Sequence, residues 1–217
     1  SITAAKTYMN SKSKLLVSFN LLRFLKEKNY NDIRRNLIYS RVNMLMGTFS
    51  TRCDTFSTQE IYELANIVDA NMDVISFFNE INNHREFYNY ISTHGSQKGL
   101  ALYCDYVVNK TLELVKDNAN KDIYIFPTGN NGESTARILR KAGYKVKGFL
   151  DNSEHKNNCY IDELPVSLPS ILKNMPESEL NNLFIIVSVQ QREIANIIMN
   201  QLRGYGIDDS QYVSRIY

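Results

Sequence analysis

Along the first part of the chain the apolar positions fall three and four apart. Leu15, Phe19, Leu22 and Leu25 keep the i, i+4, i+7 rhythm, and Ile33, Leu37 and Met44 keep it again, with Ile38 and Leu45 beside them. This spacing stacks side chains on one face of an α-helix. Ser57-Thr-Gln-Glu60 has the form of a capping box, in which the Ser hydroxyl accepts an early amide and the Glu reaches back. The helix it opens carries Ile61, Leu64, Ala65 and Val68 on one face. Met72, Ile75, Phe78 and Ile81 predict another helix after a short break, and Tyr103, Val107, Leu112 and Val115 a long last one from about Gly99. Methionine and aromatic stripes at helical spacing read as core rather than as a cofactor site.

From residue 121 the period changes. Ile123–Phe126 is a short apolar run, followed by a glycine turn and a helical stretch, Ser134–Ala142. Val146–Leu150 reads as a second strand, Pro165–Ser167 as a brief third, and Leu183–Ser188 as a fully apolar fourth. Arg192–Leu202 is helical, with Ile194, Ile197, Ile198 and Leu202 expected to face inward, and Gln211–Val213 supplies a last strand. Strands apolar on both faces and separated by helices predict a parallel sheet. The punctuation agrees: all four Pro and six of the nine Gly follow residue 120, and long helices avoid both. The polar segment Lys116–Lys121 marks the boundary. The expected architecture is an all-α helical bundle or cap over residues 1–120 and a small α/β domain over 121–217.

Composition narrows the functions. Ten Phe and fourteen Tyr exclude a disordered chain. A formal charge of +2 argues against a dedicated nucleic-acid binder. Charge divides evenly between the halves, with 14 basic and 12 acidic residues in 1–120 and 11 of each in 121–217. No stretch approaches the roughly 20 apolar residues of a membrane span, and Ser1–Asn10 lacks the apolar core of a signal peptide. Cys53, Cys104 and Cys159 are odd in number and far apart, which fits thiols in a reducing cytoplasm better than disulfides or a zinc site. Asn109-Lys-Thr111 matches a glycosylation sequon inside a helical pattern and is discounted for a cytoplasmic chain. A first residue of Ser is expected of a processed or trimmed chain.

The chemistry concentrates in Pro127-Thr-Gly-Asn-Asn-Gly132, directly after the first strand of the α/β half and opening a helix. Against the pattern G-x-G-x-x-G, Gly129 and Gly132 are the second and third glycines, and Pro127 stands at the first. The second lets backbone approach a phosphate and the third lets helix pack on strand, while the amides and dipole of the helix start favour an anion. Asp151 follows Gly132 by 19 residues at the end of the second strand, where it can accept from ribose hydroxyls. The candidate ligand-binding residues are therefore Thr128, Gly129, Asn130, Asn131, Gly132 and Asp151. Ser188 and Gln190 join them at the end of the fourth strand, where open α/β sheets place ligands. The alternative is a structural turn that binds nothing. His155 reads as a solvated loop residue, and His84 and His94 have no Cys or carboxylate pattern near them. Neither a catalytic group nor a metal ligand is assigned.

Ile123–Gly132, Gly143–Asn152, Leu164–Pro169 and Ile185–Ser188 together resemble the Rossmann-like domain that precedes the catalytic domains of bacterial surface-polysaccharide enzymes. Sugar O-acetyltransferases of the PglD type carry a similar opening. FkbM-type methyltransferases do too, and in them a helical segment comes first; the stretch Ile33–Gly47 is loosely similar to that segment. The resemblance covers about residues 121–217. It implies a nucleotide-sugar or related phosphate ligand near Gly129, Gly132 and Asp151. The left-handed β-helix repeats of the acetyltransferases are absent from the sequence, so the methyltransferase type is the nearer expectation. It implies an S-adenosylmethionine-binding domain beyond Tyr217, with this chain the N-terminal, non-catalytic part that recognises the ligand and docks. Two other readings stay open: a fragment of an NAD(P)-dependent oxidoreductase, and a scaffold that forms a homodimer through its helical half.

Overall fold

The computed structural model describes residues 2–28, 32–75 and 85–216, and the chain divides into two compact units, Ser1–Val108 and Asn109–Tyr217. The first unit is helical: α1 (Ile2–Glu27), α2 (Asp32–Ser50), α3 (Thr58–Asp69), α4 (Met72–Ile75), α5 (Arg85–His94) and α6 (Ser96–Glu113), the last running on into the second unit. Leu15, Phe19 and Leu22 of α1 meet Val42, Met46 and Phe49 of α2 in one core, joined by Leu64 and Val68 of α3 and Phe87 and Ile91 of α5. Phe87 packs edge-on against Tyr103 at 5.2 Å and Phe49 at 6.3 Å, the geometry that sets a positive ring edge on a negative face. Ser57 and Glu60 form the expected capping box, with the Glu60 amide on Ser57 Oγ at 3.3 Å and the Ser57 amide on Glu60 Oε2 at 2.8 Å.

One expectation fails on α2. Its i, i+4 rhythm does make a helix, but Ile33, Leu37 and Met44 are 73%, 67% and 39% exposed, whereas Val42, Leu45, Met46 and Phe49 are buried. The helix is apolar on two faces, and periodicity cannot say which one the rest of the chain will cover. Met72 is likewise exposed while Ile75 is buried; Phe78, Ile81 and His84 lie outside the described residues. Helix α6 starts at Ser96 rather than Gly99 and ends at Glu113, so Val115 is buried beyond its end.

The second unit is α/β, as expected. After the last turn of α6 come β1 (Asp122–Phe126), α7 (Asn130–Lys141), β2 (Val146–Leu150), β3 (Tyr160–Ile161), β4 (Leu164–Ser167), α8 (Glu177–Asn181), β5 (Leu183–Val189), α9 (Arg192–Gly204) and β6 (Tyr212–Ile216). The strands lie in the order β3-β4-β2-β1-β5-β6, and every pairing is parallel except the β3–β4 hairpin. All of β5 is buried because both faces of the sheet are covered. Leu183, Ile185 and Val187 pack with Ala195, Ile198 and Leu202 of α9, whereas Phe184 and Ile186 pack with Ala136 and Leu139 of α7. That is the period of two expected of a strand.

Three local features depart from the sequence reading. Helix α7 starts four residues early, at Asn130, because the glycine turn feeds straight into it. Ile194 and Ile197 of α9 are 41% and 63% exposed; the buried stripe is Ala195, Ile198 and Leu202, one position further round the helix. The β3–β4 hairpin was not foreseen. Its turn residues Asp162 and Glu163 both take positive φ, 48° and 68°, as a two-residue primed turn demands, without the Asn-Gly or Asp-Gly pair that announces one. Arg140 of α7 donates to the Asp162 carbonyl at 2.6 Å and holds that turn against the body of the unit.

Candidate functional site

Strand β1 lies at the centre of the sheet. The chain moves from it to β2 on one side and later to β5 on the other, so the carboxyl end of β1 is the switch point at which open α/β sheets bind ligands. The turn 127–129 lies at that point. Gly129 has φ 101° and ψ −177°, a conformation reserved almost wholly for glycine. It also occupies the N-cap of α7 without a side chain to cap the first-turn amides. Gly132 has a different reason. A Cβ there would stand 2.3 Å from the Pro127 carbonyl oxygen, so the missing side chain lets the first turn of α7 pack on the turn that precedes it.

Two polar clusters flank this helix start. On the β2 side Asp151, 6% exposed, ends its strand with the carboxylate directed at the turn. Its Oδ2 accepts the Thr128 amide at 3.1 Å, the Thr128 hydroxyl, and the Lys156 ammonium at 3.0 Å, and its Oδ1 accepts the Ser153 amide at 2.9 Å. Lys156 Nζ also donates to Thr128 Oγ1 at 2.7 Å, with its side chain still 45% exposed. Burial acts to raise the Asp151 pKa, but the bonds from Thr128, Ser153 and Lys156 and the Lys156 charge outweigh it and hold the carboxyl below its ordinary value. Asp151 thus ties the glycine turn to the loop after β2 and fixes a cation beside it.

On the β5 side Ser188 and Arg215 are register partners on adjacent strands, and both point under α7. Thr135 donates its hydroxyl to the Asn131 carbonyl at 2.9 Å, so its oxygen accepts from Arg215 Nη1 at 2.7 Å and from Ser188 Oγ at 2.8 Å. Thr135, Ser188 and Arg215 are 0%, 1% and 6% exposed, respectively. Ser188 is therefore interior and braces the first turns of α7, while Gln190, half-buried, lies just past the end of β5. Asn152 exchanges two amide hydrogen bonds with Gln201 of α9, at 2.9 and 2.8 Å.

The structure thus gathers Thr128, Gly129, Asn130, Asn131, Gly132 and Asp151 at one helix start and sets Ser188 beneath it. Lys156, Thr135 and Arg215 were missed. Lys156 belongs to no spacing motif. Arg215 carried a usable signal: the alternation of β6 puts it on the same inward face as Val213. His155 is exposed, and His94 is exposed and stacked on Tyr90. Among the described residues no three His, Cys, Asp or Glu come together as a metal site. Comparison of the chain with protein families, with curated proteins and with solved structures finds no match to any of them.

Proposed function

We propose that the α/β unit recognises a phosphate-bearing ligand of the nucleotide-sugar class over the turn 128–132. In this reading it is the ligand-recognition and docking part of a larger bacterial glycan-modifying enzyme of the S-adenosylmethionine-dependent FkbM type, with no chemistry of its own. One observation carries the proposal: the N-cap glycine at the carboxyl end of β1 leaves the first-turn amides without a side-chain cap, and Lys156, paired with Asp151 at 3.0 Å and 45% exposed, stands beside them, 2.7 Å from Thr128 Oγ1. Helix amides and a fixed cation are complementary to a phosphate. Asn130 is exposed, and Asn131 and Gln190 are half-buried, at the same end of the sheet. The resemblance of Ile123–Asn152 to the domain of surface-polysaccharide enzymes points to the same ligand class.

Thermal unfolding of the full chain with UDP-sugars, GDP-sugars, NAD(P), coenzyme A and S-adenosylmethionine tests it. A ligand at 100 times its Kd stabilises by about 2.7 kcal/mol, which is roughly 5–10 °C for a chain of this size. A nucleotide-sugar is expected to give that shift, and Lys156→Gln to abolish it, with a lower ligand-free Tm because the buried Asp151 carboxylate loses its paired cation. A shift with NAD(P) alone would replace the reading with a dinucleotide enzyme. No shift with any of them would make the turn a structural one.

A further inference from the structure

The first two helices differ from the rest of the chain in charge. Residues 1–50 hold nine Lys and Arg against two Asp and Glu, a formal +7; the other residues hold sixteen against twenty-one, or −5, and together they give the overall +2. These helices are also apolar on the outside. Of the twelve large apolar side chains exposed among the described residues, seven are on α1 and α2. Met9, Leu16, Val17 and Phe24 of α1 are 37–56% exposed. At ~100° per residue they fall within about a quarter of the helix circumference, opposite Leu15, Phe19 and Leu22. The other residues on that arc between Met9 and Phe24 are the uncharged Ser13 and Asn20, and one turn beyond Phe24 the last residue of the helix, Glu27, also projects onto it. Ile33, Leu37 and Met44 make the corresponding arc on α2, with Ser40 among them. The first ten residues of α2, 32–41, include no buried residue. A helix apolar on both faces is one that something covers on both faces.

Cations border both arcs. By the same projection Lys12 and Lys28 lie roughly 20–60° beyond the two edges of the α1 arc, and Arg34 and Arg41 a similar distance beyond one edge of the α2 arc. Apolar side chains bordered by long basic ones match the boundary between lipid headgroups and acyl chains. There the apolar groups enter and the Lys and Arg stems carry their charges back to the headgroups. Arg23 and Lys26 are paired with Asp73, but a second copy would still set Lys12, Lys28, Arg34 and Arg41 against their own kind, and a nucleic acid would leave the apolar arcs unused. We propose that the outward faces of α1 and α2 dock the chain on the surface of an anionic membrane. No described helix is long and apolar enough to cross one, so the contact is peripheral.

Co-sedimentation of the full chain with phosphatidylcholine vesicles, alone or mixed with phosphatidylglycerol, tests the proposal. Binding is expected to the mixed vesicles, to weaken as salt rises, and to be slight with phosphatidylcholine alone. Each cation near an anionic surface is worth about fivefold in partitioning, so Lys28→Gln with Arg41→Gln should weaken binding about 25-fold. Ile33→Ser with Leu37→Ser, both at exposed positions, should abolish binding with the circular dichroism spectrum unchanged. Absence of binding to mixed vesicles at low salt, or equal binding to both kinds, overturns the proposal. So does a dimer by light scattering that Leu37→Ser dissociates while vesicles bind nothing, since the occupant is then a second copy. Capture of a mixed-sequence RNA without vesicle binding overturns it in favour of nucleic acid.

Discussion

Replacing Gly132 by alanine tests the geometry of the helix start with the smallest possible side chain. The new Cβ would lie 2.3 Å from the Pro127 carbonyl oxygen, 3.3 Å from its carbon and 3.5 Å from Ile125 Cγ2. A carbon and a carbonyl oxygen rest at about 3.3–3.6 Å, so the two segments must part by about 1 Å. Both atoms at the conflict belong to backbone, and no side-chain rotation relieves it. Overpacking of this kind costs about 1–3 kcal/mol, partly offset by the roughly 0.5–1 kcal/mol that alanine gains over glycine inside a helix. For a cooperative unit of about 110 residues a net loss of about 1 kcal/mol, the middle of that range, lowers Tm by roughly 4–8 °C. Calorimetry of the full chain reads this directly. Gly204→Ala is the control, because its Cβ would meet nothing within 4 Å; its Tm should stay level or rise slightly. Gly129→Ala also meets nothing within 4 Å but must hold φ at +101°, and should cost about 1–3 kcal/mol by backbone strain alone. A Gly132→Ala Tm equal to wild type, or a larger drop for Gly204→Ala, would refute the close packing of turn and helix.

Three further outcomes follow from the structure. Asp151, whose pKa is lowered from its ordinary 3.8 in the folded chain, contributes stability that is complete above that value and drains away as pH falls through the folded pKa. Asp151→Asn should therefore unfold more easily near neutrality and lose less on acidification; parallel acid-denaturation curves would contradict this. Burial pushes the Tyr103 phenol well above 10.0, so its contribution is whole below pH 10 and declines at higher pH. Absorbance titration should show Tyr103 among the late-ionising tyrosines, beside Tyr8, so Tyr103→Phe should reduce that late amplitude by one tyrosine. That variant loses the bond to Ser50 Oγ, 2.6 Å long, at a cost of about 1 kcal/mol by denaturant titration. Ser57→Ala removes one half of the capping box and should cost about 1 kcal/mol in the same assay, whereas Ser57→Asp should retain most of it.

Much of this protein was legible from short stretches. The period of 3.6 on α1 and α3, the continuous apolar runs of β1 and β5, the capping box at Ser57 and the glycine turn at 129–132 are each encoded within a dozen residues. Backbone dihedrals and the direction of neighbouring side chains are local properties. The candidate site was legible as far as it is one segment, from Thr128 to Gly132, with Asp151 at a strand end whose position the βαβ connection dictates.

What tertiary structure alone decided was which surfaces and groups meet. Ile33, Leu37 and Met44 have as good a helical spacing as Leu15, Phe19 and Leu22, yet one set is outside and the other in the core. Each choice depends on where distant helices pack, which no local pattern encodes. Lys156 and Arg215 reach the helix start from a loop and an edge strand 28 and 80 residues from Thr128 and Thr135. Asp151 accepts four donors because loop and turn converge on it. Sequence sets the conformations each segment can hold at low cost. Closing the sheet then selects among them by burying apolar faces and by requiring every buried charge to find its partners.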